Sequence, residues 1–198
     1  MSENPVTAFS SVFLDKNPPV DAQNDALIQW CKKIAGTNAV TGNISFRTKM
    51  GFIIIGSETP LANMTKDKAA EVRGVVFGLN RPSIYVKGAA APAEETLMHS
   101  VIYESFPETN AIFFITSPDI LAAMEKTGTP AVDAAQSGRS QAFAQEVVNL
   151  MKINNNSPAL ILKNYGVIIC GETIAEAGSK AEELLQNITG SKAKTGKK

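Results

Sequence analysis

The chain has 198 residues, 44% of them apolar, and 19 Lys and Arg against 19 Asp and Glu, for a formal net charge of zero. That length fits one domain with a sizeable core, and without a basic surplus to neutralise a phosphate backbone no nucleic-acid partner is expected. No apolar run approaches the roughly 18 residues that span a bilayer, so no membrane role is expected either.

Residues 1–20 read as a loose lead broken by Pro5, Pro18 and Pro19. They lack the basic-then-apolar order of a secretory signal, which points to the cytoplasm. Asp21 or Asn24 can cap a first helix in which Leu27, Ile28, Cys31 and Ile34 share a face and Gly36 ends the run. Cys31 and Cys170 both lie in apolar stretches and read as buried free thiols. "NISFRT" and "GFIII", joined by "TKMG", read as a hairpin. "SETPLANMT" is a loop, and "KDKAAEVRGVVFGLN" reads as a short helical turn followed by a strand at Gly74 to Leu79. "IYVKG" is the next strand.

A helix then carries Leu97, Val101 and Ile102 on its buried side, with Glu104 and Glu108 toward water, and Pro107 breaks it. "AIFFIT" is a buried strand that hands over to the helix "SPDILAAMEKTG", with Ser117 as cap and Pro118 at the first position. After a loop, "TPAVDAAQSG", a helix spans about Arg139 to Lys152 with Phe143, Val147, Leu150 and Met151 inward. "ALILK" and "GVIICG" form a second hairpin through "NYG". Thr173 and Glu176 make a capping box for the last helix. Residues 21–189 therefore read as one domain, with 190–198 a disordered basic tail. The elements mix without strict βαβ alternation, which predicts an α/β (α+β type) fold with a mainly antiparallel sheet covered by helices on both faces.

The chain has one histidine, His99, so a three-histidine zinc site within one chain is impossible. The motifs of a CxxC pair, a P-loop and GxGxxG are all missing. Before the Ser-Pro cap stand Phe113, Phe114, Ile115 and Thr116, none of them a strong ligand, acid or base.

In order along the chain, "TGNISFRTKMGFIIIGSE", "MTKD", "EETLMHSVIYESFPETNAIFFITSPDILAAM" and "ALILKNYGVIICGETIAEAGSKAEELL" resemble the class II aldolase/adducin family from about residue 22 to residue 188. The resemblance implies a three-layer fold, a central antiparallel sheet between helices, assembled as a homo-oligomer, a cyclic tetramer. It also implies a chemistry: in members similar to fuculose-phosphate aldolase, zinc held by three histidines stabilises an enediolate and a carboxylate moves the proton. Where that pattern places its paired histidines this chain has Phe114 and Thr116, and where it places the third it has Tyr165. Phenylalanine has no lone pair, and threonine and neutral tyrosine are poor zinc ligands. No cofactor is therefore expected. Phe114 and Tyr165 are expected to fill the space as an aromatic pair.

Glu95 matches the family's acid/base position, four residues before His99 on the same helix face. It is the candidate proton carrier; the plainer reading makes it a first-turn carboxylate that serves the helix dipole and faces water. His99 reads as a hydrogen-bonded structural residue. Gly42 and Asn43 match a Gly-Asn turn that, by resemblance, donates to a substrate phosphate, with Ser45 and Arg47 close beyond and Ser57 in the next strand-end loop. The alternative is a tight turn that needs glycine. The family's paired serines appear here as Ala93 and Glu94, and Glu94 repels phosphate. Three functions stay open: a degenerate member that binds a small-molecule ligand or a protein partner, as adducin-like heads act by association; an enzyme using Glu95 for metal-free proton transfer on a sugar or keto acid; and a purely structural oligomer subunit, paired with an active homologue.

Overall fold

The computed structural model describes residues 9–36, 40–78, 81–117, 119–120, 122, 131–132, 140–155, 157–163 and 165–195, without the side chains of 131–132 and 187–195. Nine strands form one sheet among these residues. They are β1 (Ser10–Asp15), β2 (Thr41–Thr48), β3 (Gly51–Ile55), β4 (Ala69–Val76), β5 (Ser83–Lys87), β6 (Ala111–Thr116), β7 (Ala131–Val132), β8 (Ala159–Leu162) and β9 (Gly166–Gly171). The order across the sheet is β1-β5-β4-β3-β2-β6-β9-β8-β7. Only the two outermost pairs, β1 with β5 and β7 with β8, are parallel. The expected mixed fold with a mainly antiparallel sheet is what the chain adopts.

Among the described residues the helices that cover the sheet are α1 (Asn24–Ala35), α2 (Thr96–Ser105), α3 (Gln141–Ile153) and α4 (Ile174–Thr195). Strand β6 shows why both faces are covered. Its residues Ala111 to Ile115 are all buried, so there is no polar face to give to water. Ile112 and Phe114 join a core with Leu97, Ile102, Phe143 and Val147 of α2 and α3. Phe113 and Ile115 join a second core with Leu27, Ile34, Ala177 and Leu185 of α1 and α4. Trp30 packs edge-on against Phe113 at 6.1 Å and fills the space that a side chain at Gly178 would need. Cys31 and Cys170 are buried free thiols whose pKa values burial pushes up to about 12.

Several expectations need correction. The lead is not loose throughout, since Ser10–Asp15 forms β1, paired along Ser83–Lys87. An edge strand with Val12, Phe13 and Leu14 all exposed lacks the alternation by which a half-buried strand declares itself. Strand β4 begins at Ala69, five residues before Gly74, because Ala69 to Val72 pair with Ile55 to Phe52 of β3. Pairing overrides the helical leaning of "KAAEVR", while the expected helical turn survives as one 3-10 turn at Lys66–Lys68. The loop expected after Gly128 contains β7, hydrogen-bonded to β8. Helix α4 runs on to Thr195 across most of the segment read as a disordered tail, through good helix formers such as Lys192, Ala193 and Lys194. Residues 196–198 and most of the helix expected from Ser117 to Gly128 lie outside the described residues.

The cap expected of Asp21 or Asn24 is not made: Gln23 stands at the N-cap of α1 with no side-chain cap hydrogen bond, and the Asp21 carboxylate accepts from the Gln23 amide at 2.9 Å. Helix α3 has an unexpected cap, Ser140, which accepts from the Phe143 amide at 3.1 Å. The capping box expected for the last helix does form. Thr173 accepts from the Glu176 amide at 3.1 Å, and Glu176 accepts from the Glu172 amide at 2.8 Å.

Candidate functional site

Strands β2, β6 and β9 are adjacent, and their residues toward one end meet the segments 56–60 and 91–95. The Ser57 amide donates to the Ala91 carbonyl at 2.8 Å, and Gly56 bridges Pro92, which fastens those two segments together. A cleft of about 970 Å³ opens there. Gly42, Asn43, Ser57, Glu95, Phe114, Thr116 and Tyr165 all line it. Residues as distant in sequence as Gly42 and Tyr165 are thus brought to one place. The register of β2 on β6 sets Asn43 opposite Phe114 and Thr41 opposite Thr116.

Glu95 sits immediately before α2 and accepts a hydrogen bond on each carboxyl oxygen. The Asn43 amide nitrogen donates to Oε2 at 2.6 Å, and the Tyr165 hydroxyl donates to Oε1 at 2.6 Å. The carboxylate is therefore not turned out to water. Held by two neutral donors at the wall of a cleft, it has the fixed position that proton transfer to or from a bound molecule requires. Asn43 is 3% exposed, and its carboxamide oxygen has no partner.

One turn along α2, His99 belongs to a separate buried network. Its Nδ1 lies 2.7 Å from Ser45 Oγ, which lies 2.8 Å from the Tyr103 hydroxyl. Burial holds the imidazole down to about 3, so it is neutral at pH 7. His99 does not line the cleft, and the structural reading of that residue stands. Ser45 is fully buried in this network. Arg47 donates to the carbonyls of Tyr103, Phe106 and Thr109 at the far end of α2. Neither belongs to the cleft, although both follow Asn43 closely in sequence: they continue along β2 away from it.

Gly42 is not in a turn but inside β2, where it has a φ of 146°. A Cβ there would stand 2.0 Å from the Phe114 carbonyl oxygen. Glycine is needed for backbone approach to β6, which is reason enough for its presence without a ligand. Glu58, at the rim of the cleft, holds a φ of 58°, a left-handed conformation that costs a non-glycine residue roughly 1–2 kcal/mol.

The three positions where the resemblance places zinc ligands converge, but they carry no zinc donors. Phe114 and Thr116 alternate onto the same face of β6. The Phe114 and Tyr165 rings pack at 5.0 Å and 37°, and Phe143 meets Tyr165 edge-on at 6.2 Å. Phe114 also lies where a side chain at Gly166 would go. An aromatic floor occupies the place, and its one hydroxyl already donates to Glu95. Among the described residues no three His, Cys, Asp or Glu side chains gather as a metal ion requires. This donor set does not fit zinc.

Sequence reasoning missed part of the lining: Ser10 and Ser11 from β1, Glu58 and Thr59 from the rim, and Arg81. The serines lie in a segment whose strand has no periodic signature. Glu58 and Arg81 lie in loops whose approach to the cleft depends on distant pairing.

A family model described as Class II Aldolase and Adducin N-terminal domain matches residues 26–188. Among solved structures, YgbL from Escherichia coli is 17% identical, with 85% of this chain and 87% of that one covered and a TM-score of 0.67. L-fuculose-1-phosphate aldolase from Thermus thermophilus is 18% identical over 86% and 93% of the two chains, with a TM-score of 0.65. A sugar-phosphate aldolase from Thermotoga maritima is 16% identical over 84% and 92%, with a TM-score of 0.67. At such identities the likeness is one of fold. No curated protein matches the chain.

Proposed function

The chain belongs to the class II aldolase and adducin family, and from that premise we propose that it is a member without zinc-dependent sugar-phosphate cleavage, acting as a ligand-binding or oligomeric interaction module. The observation that supports this reading is the replacement of the zinc donors by an aromatic floor: Phe114, Thr116 and Tyr165 stand where the resemblance puts histidines. Loss of one ligand weakens a metal site, whereas loss of all three removes it. In this reading the protein is cytoplasmic and homo-oligomeric, and light scattering on the purified chain measures its assembly. Among the described residues no helix is long and apolar enough to cross a membrane.

The test is metal analysis of the purified full chain, together with an aldol-cleavage assay with and without chelator. The expected result is substoichiometric zinc and no chelator-sensitive cleavage. One tightly held zinc per chain, with cleavage abolished by chelator, overturns the proposal.

One observation favours a second reading as an enzyme. Glu95 is held by Asn43 and Tyr165 at the wall of a cleft large enough for a small sugar or keto acid. There it can take a proton from a bound substrate and return it at the same or another atom, as an isomerase, epimerase or lyase does. Given detected turnover, Glu95→Gln keeps the shape and removes the base. An unchanged kcat excludes Glu95 from that role.

A further inference from the structure

We infer that the cleft takes an uncharged or cationic polyhydroxyl compound, a sugar or amino sugar without a phosphate group, an inference that rests on the ligand-binding reading above. Among the described residues, three carboxylates, Glu58, Glu94 and Glu95, and one guanidinium, Arg81, line the cavity. Whatever ion pairs form among them, the formal charge of these described lining residues is two negative. A phosphate ester brought into that space meets like charge with low-dielectric walls around it. The start of α2, which by its dipole attracts an anion, already has the carboxyl groups of Glu94 and Glu95 beside it.

The hydrogen-bonding groups point the same way. The carboxylates of Glu58, Glu94 and Glu95 accept hydrogen bonds and, when ionised, cannot donate them. Such acceptors match the O–H groups of a sugar or the N–H groups of an ammonium and mismatch phosphate oxygens. Ser10, Ser11 and Ser57 add neutral hydroxyls. Phe114 and Tyr165 add an aromatic surface for the apolar face of a sugar ring. Glu58 keeps its carboxyl group at the rim despite a left-handed backbone, and strain retained at a cleft motivates a functional reading of that residue.

Saturation-transfer NMR on the full chain at low salt tests this, with a panel of neutral hexoses and 6-deoxyhexoses, the matching hexosamines, and the 1-phosphates of the same sugars. The expected result is binding within the neutral or amino-sugar sets, with each phosphate ester weaker than its parent by about tenfold or more. Raised ionic strength narrows that gap in the unaltered protein, and the double substitution Glu58→Gln, Glu94→Gln narrows it further. The salt arm keeps the test decisive even where the double variant folds poorly. A phosphate ester bound as tightly as its parent sugar, or no binding in either unphosphorylated set, overturns the inference. Zinc content and chelator-sensitive cleavage judge the parent reading separately, so the two can fail independently.

Discussion

Tyr165 does two jobs that one substitution separates. Its hydroxyl donates to Glu95 at 2.6 Å, while its ring packs on Phe114 and Phe143. Tyr165→Phe removes only the hydrogen bond and is expected to destabilise the protein by about 1–2 kcal/mol in urea unfolding. Tyr165→Ala also opens the aromatic floor and is expected to cost about 3 kcal/mol or more. Equal losses for the two variants show that the ring packing contributes nothing. His99 supplies a second residue-scale expectation. Its folded pKa, about 3, lies below the ordinary 6.5 because the ring is buried. Between those values the unfolded chain binds a proton that the native chain refuses, so stability is fully present above pH 6.5 and is lost as pH falls toward 3. Unfolding midpoints measured from about pH 7 to about pH 4 are expected to fall, and His99→Gln to flatten the slope by close to one proton. An unaltered slope in that variant removes His99 as the cause.

Strand β2 couples the cleft to the sheet. Its Gly42 lets the backbone of β6 approach, and the next residue, Asn43, reaches Glu95. Gly42→Ala puts a methyl group 2.0 Å from the Phe114 carbonyl oxygen at a φ of 146°. That change is expected to cost on the order of 3–4 kcal/mol and to displace Asn43 from Glu95. Gly74→Ala in β4, where an added Cβ meets nothing within 4 Å, is the control and is expected to change stability by less than about 0.5 kcal/mol. Thermal unfolding of both variants checks the contrast; a Gly42→Ala protein as stable as the control shows that β2 can move away from β6. Glu95, just before α2, and His99, one turn into it, belong to separate polar groups, the first at the cleft and the second in the buried network. Residues four apart are neighbours on a helix, so it is the complete burial of His99, not the spacing, that keeps the imidazole from a ligand in the cleft.

Across the whole molecule, the scaffold brings together the three positions where the resemblance places metal ligands, although Phe114, Thr116 and Tyr165 are not zinc donors of the histidine kind. The triple substitution Phe114→His, Thr116→His, Tyr165→His is expected to create zinc binding near one ion per chain, read by calorimetry, where the unaltered protein is expected to show none. It loses the Tyr165 bond to Glu95 and the ring packing, so stability without metal is expected to fall and zinc to restore it. No gain in zinc affinity shows that the converged positions lack the geometry of a site.

Much of this was legible in residues read in order. The apolar run of "AIFFIT" reads as a buried strand, the helical spacing of Leu27, Cys31 and Ile34 marks the inner face of α1, and Thr173 with Glu176 marks the start of α4. That Phe114, Thr116 and Tyr165 stand where the resemblance places histidines was equally plain, because a side chain's identity needs no coordinates. Tertiary structure alone decided that Gly42 serves strand approach and not a turn, that Arg47 holds the end of α2 and not an anion, and that β1 brings Ser10 and Ser11 to the cleft. Those outcomes depend on which strands pair and in what register. Pairing energy is shared between segments far apart in the chain, so no local pattern of residues records it.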